Sequence, residues 1–353
     1  MTGKVGVALI GSGIFVKEEH LPAVQACEHL ELKAIYSRSL KSAKGVSEGL
    51  ANVDLYSDDS ERSYKELLSR DDVQSVIIAL PIPVQPDFIK QALSAGKHVF
   101  AEKPLAKDVA SGLELLKWYH DNIDTKKVTF ADFLTHGSSG VAEQWRYYNS
   151  FLFGAEKARS FGKVIGCRVK VSASIQPGMK YLETEWRKKP EYQGGFLLDG
   201  GVHFMAGMRL LLGEEAKVVK ASGFTTQLQP YLLPIDTVDA VFKLANGSTG
   251  NFSASFGTTF KGGEWSVACE NGSVTVSGQK VTINPKDGDE EVVEKPDEQG
   301  GVKQEVFAWA ESLVSGKQEP RQLPEQALAD LEVLEAMLTS GEKGGQPIEL
   351  KYQ

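Results

Sequence analysis

The chain has 353 residues, 41% hydrophobic and 24% charged, with a formal net charge of −8. That length predicts two domains with buried cores, and the acidic balance argues against sequence-independent binding to nucleic acid or an anionic membrane. Three cysteines, Cys27, Cys167 and Cys269, stand far apart without a CxxC pair, which predicts reduced thiols in a cytoplasmic protein rather than a disulfide framework or a metal site.

The N-terminus carries no signal-peptide pattern, and no apolar run reaches transmembrane length. Val5–Ile10 reads as a buried parallel strand that runs into Gly11-Ser12-Gly13-Ile14-Phe15-Val16, with a helix expected by about His20. The first glycine permits a tight turn, and the second lets backbone approach a pyrophosphate at the positive end of the helix. Val16 stands where the dinucleotide fingerprint has its third Gly or Ala. A second strand, Leu32–Tyr36, ends in Ser37-Arg38-Ser39, and no acidic residue occurs from Leu32 to Ser47. NAD sites usually place a carboxylate there for the ribose hydroxyls. Serines with an arginine instead suit a 2′-phosphate, so NADP(H) is expected over NAD(H).

The alternation continues. A helix near 63–68 leads to the strand Val76–Leu80, which Pro81-Ile82-Pro83 breaks before a helix over Gln85–Ser94. His98-Val99-Phe100 forms the fifth strand, and Ala101-Glu102-Lys103-Pro104 follows at its C-terminal end. Strand C-termini border the ligand crevice of a doubly wound sheet, so Lys103 is a candidate for contact with whatever binds. Asp108 N-caps the next helix, and Lys127–Ala131 is expected as the sixth strand, ending at Asp132. Residues 1–132 therefore read as a Rossmann doubly wound parallel sheet.

Residues 133–353 read as an α+β domain with a large, mostly antiparallel open sheet. Glu143–Ala158 is expected to be helical and Val164–Ile175 a strand. Phe204–Leu212 reads as an apolar helix ended by Gly213. From Lys217 to Val293 strands follow one another, with Asn-Gly turns at 246–247 and 271–272, and helices near Lys303–Val314 and Glu325–Thr339 close the chain. Asp199 and His203 are four apart, on one face of any helix that contains them. That spacing suits an imidazole acid/base with a carboxylate beside it, and equally an Asp199 N-cap before a core histidine. Trp186-Arg187 reads either as a packed anchor or as an aromatic wall and cation at a ligand.

Together these segments resemble the Gfo/Idh/MocA oxidoreductase family, the glucose-fructose oxidoreductase and inositol dehydrogenase group. The resemblance rests on the glycine loop, Ala95-Gly96-Lys97-His98-Val99 with Glu102-Lys103-Pro104, Trp186-Arg187, and Gly194-Gly195 through Asp199 and His203. Gly13-Ile14-Phe15 with His20-Leu21-Pro22, and Trp186-Arg187-Lys188-Lys189-Pro190, resemble a fungal NADP-linked branch. The family implies a nicotinamide cofactor, no metal, a substrate held by the second domain, and a homodimer or homotetramer formed through the open sheet.

By the same resemblance Lys103, Asp199 and His203 are the catalytic residues. Lys103 polarises a carbonyl oxygen and His203, helped by Asp199, relays the proton. Cofactor contacts are expected from Gly11, Ser12, Gly13, Ile14 and Phe15, from Ser37, Arg38 and Ser39, and from Leu80, Pro81, Pro83 and Gln85. Glu102, Lys103, Asp132, Trp186 and Arg187 complete that set. The chain departs from the family at Ala206, where many members have Asp, and at Asp132-Phe133-Leu134, where Glu-Asn or Asn-x-Arg is common. The implied reaction is hydride transfer to or from a sugar, polyol or small carbonyl compound. The alternatives are a non-catalytic NADP-binding regulator and a reductase of a non-sugar carbonyl or dihydrodiol.

Overall fold

The computed structural model describes residues 3–123, 140–297 and 299–353. The chain divides into two compact units, Met1–Gln144 with Gln299–Ala327, and Trp145–Glu298 with Leu328–Gln353. The contiguous division at 132/133 expected above differs from this in two respects: the first boundary lies at 144/145, and a late segment returns to the first unit. Its helix Val302–Ser315 packs Val302, Val306, Trp309 and Ala310 into the core around Val7, Leu9, Ile35 and Phe100. Trp309 is fully buried and stacks on Phe100, with ring centroids 5.1 Å apart and planes at 18°.

The first unit carries β1 (Val5–Ile10), β2 (Leu30–Ser37), β3 (Asp54–Ser57), β4 (Ser75–Ile78), β5 (His98–Glu102) and β6 (Gly140–Ala142). Their order is β3-β2-β1-β4-β5-β6, and every neighbouring pair is parallel. The expected sixth strand at 127–131, Asp132 and Phe133 lie outside the described residues. Strand order reverses between β1 and β4, which is where such sheets open a ligand crevice at their C-terminal ends. Some helices of this unit start on the polar caps that local chemistry favours. Ser63 and Glu66 form a reciprocal capping box, and the Asp108 side chain accepts the Ser111 N–H at 2.7 Å.

The helix after β1 begins earlier than expected. Residues 14 and 15 are already helical, and Val16–His20 form one turn of π-helix before Leu21–Ala26. The Leu21 N–H reaches back five residues to the Val16 carbonyl. That wide turn widens the helix locally and turns His20 inward, where it is fully buried.

The second unit contains β7 (Val164–Ser172), β8 (Val218–Thr226), β9 (Thr237–Leu244), β10 (Thr249–Ser255), β11 (Gly262–Cys269), β12 (Gly272–Ser277), β13 (Lys280–Pro285), β14 (Glu291–Glu294) and β15 (Ile348–Glu349). The sheet order is β14-β13-β12-β11-β7-β10-β9-β8-β15, antiparallel except for β7 beside β10. Alternating burial along β9 and β10 leaves one face covered and the other open. The expected helix over Glu143–Ala158 is broken at Tyr148, which is extended between a 3-10 turn (Gln144–Tyr147) and a helix (Asn149–Ser160). Asp297 accepts the Asn149 N–H at 2.6 Å, so a partner from far along the chain holds that start.

The apolar helix is twice the expected length, Gly195–Leu212. Gly200-Gly201 reads locally as a helix breaker, but packing overrides it. A side chain at Gly200 would come within 2.9 Å of Phe256, and one at Gly201 within 2.8 Å of Leu334. This helix is long and apolar enough by composition to span a membrane, yet 72% of it is buried inside the fold, as in a core helix.

Candidate functional site

In the first unit the site grows from the turn after β1. Gly11 has φ +129° and passes so close to β4 that a Cβ there would lie 2.3 Å from the Ala79 carbonyl oxygen, so the tight turn requires glycine. Gly13 is the opposite case, since nothing among the described residues lies within 4 Å of where its Cβ would stand. The turn into the helix from residue 14 therefore leaves room beside Gly13 for a ligand to approach the backbone. That is what a pyrophosphate needs, and the residues present fit a dinucleotide. The Ser12 and Ser37 hydroxyls share a hydrogen bond of 2.6 Å, which ties the loop to the end of β2.

Arg38 beyond Ser37 is exposed, whereas Ser39 caps the helix Leu40–Ser47 by accepting the Ser42 N–H at 3.2 Å. The fold also brings in two carboxylates that the Leu32–Ser47 stretch lacks. Asp58 accepts the Tyr36 hydroxyl at 2.5 Å, and Asp59 accepts the Leu40 N–H at 2.7 Å. Sequence order hid them because they follow β3, the neighbour of β2 in space.

After β4, Leu80 and Pro81 are half-buried and Pro83 exposed. Gln85 is 1% exposed, and its amide bridges two strand ends. It donates to the Glu102 carbonyl at 2.7 Å and accepts the Leu80 N–H at 3.4 Å. Lys103 is half-buried at the end of β5, with a cis peptide bond to Pro104. Glu102 accepts a hydrogen bond from His20 Nε2 at 2.8 Å. Sequence reading placed His20 near the cofactor loop and missed this pairing, because the two residues are far apart along the chain.

In the second unit, the helix Gly195–Leu212 carries both Asp199 and His203. Its N-cap is Gly194, in the left-handed region at φ +78°, so Asp199 is not the cap. Asp199 is 6% exposed and its Oδ2 accepts Arg187 Nε at 2.7 Å. The Arg187 guanidinium lies 4.0 Å from the Trp186 ring centroid, so Trp186-Arg187 is joined to the Asp199 carboxylate. Burial, and after it the Asp199 charge, push the Tyr192 phenol up from its usual range, which keeps it protonated. His203 is half-buried and stacks on Trp145, with centroids 6.0 Å apart and planes at 15°. Among the described residues no cluster of three or more His, Cys, Asp or Glu stands at metal-binding spacing. The three cysteines are buried free thiols, and burial pushes Cys167 up to about 12.

Residues 5–128 match the GFO_IDH_MocA model described as "Oxidoreductase family, NAD-binding Rossmann fold". Residues 157–350 match the C-terminal alpha/beta domain model of the same family. Dehydrogenase FPY6 of Fusarium mangiferae is 37% identical, over 99% of this chain and 100% of its own. D-xylose 1-dehydrogenase (NADP(+)) 2 of Haloferax volcanii is 26% identical, over 98% of each chain. A crystal structure of an oxidoreductase from Thermotoga maritima superposes with a TM-score of 0.85 at 29% identity, covering 98% of both chains. With a parallel dinucleotide-type sheet followed by an open antiparallel one, and both halves matched in that order, the chain belongs to the Gfo/Idh/MocA oxidoreductase family.

Proposed function

We propose that the chain is an NADP(H)-preferring oxidoreductase that acts on the CH–OH or C=O group of a sugar, polyol or related small molecule. The observation that carries this reading is the Asp199–His203 pair on one helix, with Asp199 held by Arg187, in a chain that also presents Lys103 at a Rossmann strand end. When bound, the nicotinamide group supplies or accepts the hydride. Lys103 donates from its ammonium to the oxygen on the reacting carbon, and so favours negative charge developing there. His203 is the acid/base group of the second unit, giving a proton in reduction and taking it back in oxidation. Asp199 lies one helical turn from His203, and Arg187 fixes where its carboxylate sits. Trp145 braces the imidazole plane.

Arg38 and Ser37 favour the 2′-phosphate of NADP(H). Asp58 and Asp59 favour a second reading, NAD(H), since carboxylates near this loop suit ribose hydroxyls and repel a phosphate. Titrating both reduced cofactors by nicotinamide fluorescence distinguishes them. NADPH is expected to bind about tenfold tighter than NADH, with Arg38→Ala removing most of that difference. Equal affinities hand the site to NAD(H). A carbonyl and sugar panel followed by nicotinamide absorbance then tests turnover. Tight NADPH binding with no turned-over compound would favour the regulator.

We also propose a cytoplasmic homodimer or homotetramer assembled through the open face of the nine-stranded sheet. Ile165 and Val241 are 56% and 60% exposed there, among Arg168, Lys170 and Lys243, and apolar side chains grouped on a sheet face support an interface. Sedimentation of the intact chain is expected to give a dimer or tetramer mass; a monomer at micromolar concentration would refute the assembly.

A further inference from the structure

The helix that follows the glycine loop and the strand end that carries Lys103 meet through one buried polar contact. His20 is 0% exposed, and its Nε2 donates to Glu102 Oε1 at 2.8 Å. The imidazole meets Phe15 and Phe100 edge-on, with centroids 5.1 Å and 6.4 Å away. Its Nδ1 is buried with no hydrogen-bond partner among the described residues, so the Glu102 contact determines how the ring sits. Glu102 is held twice: its carboxylate by His20, and its carbonyl by Gln85 at 2.7 Å. Gln85 also donates to the Pro104 carbonyl at 3.4 Å. Lys103 therefore sits between two residues that Gln85 and His20 fasten to the sheet.

We propose that His20 is a positioning residue. By holding the Glu102 carboxylate it keeps the Lys103 ammonium aimed, and it transmits the state of the glycine loop to Lys103. This rests on the oxidoreductase reading above. The physical argument is competition. A carboxylate one residue from an ammonium, once freed from a low-dielectric hydrogen bond, can turn to that ammonium and hold it against the substrate oxygen. The π-turn over Val16–His20 gives the coupling its path, since it starts three residues after Gly13 and ends on the histidine itself.

The test uses the full chain with His20→Phe, which fills the space without a donor, and His20→Gln, which restores an N–H. Glu102→Gln approaches the pair from its other side should His20→Phe fail to fold. In His20→Phe, kcat is expected to fall about tenfold or more, while substrate KM and the cofactor Kd stay within about threefold. His20→Gln is expected to recover most of the loss. Independently of turnover, reductive methylation of Lys103, read by peptide mass spectrometry, is expected to slow at least about threefold in His20→Phe, where the freed carboxylate pairs with the ammonium, and to keep its wild-type rate in Glu102→Gln, which has no carboxylate to do so. It should return towards the wild-type rate in His20→Gln. Wild-type labelling and wild-type kcat in His20→Phe would overturn the proposal, as would a loss that His20→Gln does not rescue. If no compound turns over, only the oxidoreductase reading falls, and the labelling rates still decide the role of His20.

Discussion

Lys103→Ala is expected to lower kcat by about 10²- to 10³-fold, the usual cost of removing one donor aimed at a developing oxyanion. The side chain is half-buried at the end of β5, so its charge acts in a medium less screened than bulk water. Alanine removes both the charge and the donor, and no water held in its place carries a positive charge. Because the interaction is strongest when the oxygen is most negative, the loss should fall on kcat, with the NADPH dissociation constant within about threefold of wild type. Stopped-flow turnover and fluorescence titration on the same preparations separate the two. A Lys103→Ala variant that turns over at the wild-type rate would leave the proposed chemistry without its cation.

The largest expected stability effect lies elsewhere, at Asp330. This aspartate is 2% exposed, and it pairs with Arg146 through one oxygen and with Arg209 Nη1 through the other, the latter at 2.6 Å. Arg146 is itself 4% exposed. Asp330→Ala takes the shared carboxylate from two guanidinium groups that cannot shed their charge, and breaking a buried pair in this way costs about 3–5 kcal/mol. The melting transition of the second unit should fall by roughly 10 °C or more, as read by scanning calorimetry. Asp330→Asn keeps the shape and one acceptor oxygen but turns an amide N–H towards the other guanidinium, so it should fall between Asp330→Ala and the wild type. A shift under about 2 °C in Asp330→Ala would mean that the triad contributes little.

What could be read in advance was local. Val5–Ile10 and Gln85–Ser94 lie at their expected bounds, because a short apolar run closed by glycine and a helix opened after proline are written in neighbouring residues. Asp108 is the cap it was expected to be, for the same reason. What escaped depends on partners distant along the chain. Asp54–Ser57 is four residues long and becomes a strand only by pairing with β2. The Gly195 start is hidden because a Cβ at that residue would lie 2.0 Å from the Leu233 carbonyl oxygen, a constraint that Gly-Gly does not announce. At the site the residue types were legible, but not their pairings: Arg187 with Asp199, His20 with Glu102, and Asp59 with the Leu40 N–H.

The stacking of Trp309 on Phe100 also bears on how the protein is made. A ribosome has released more than three hundred residues before the side chain that seals the first unit emerges. Until then the core around Phe100 lacks one wall and exposes apolar surface that a chaperone can bind. A truncated product ending at residue 144 would carry the whole parallel sheet and still lack its closing indole. The cofactor-binding half is therefore first in the sequence and among the last parts to be completed.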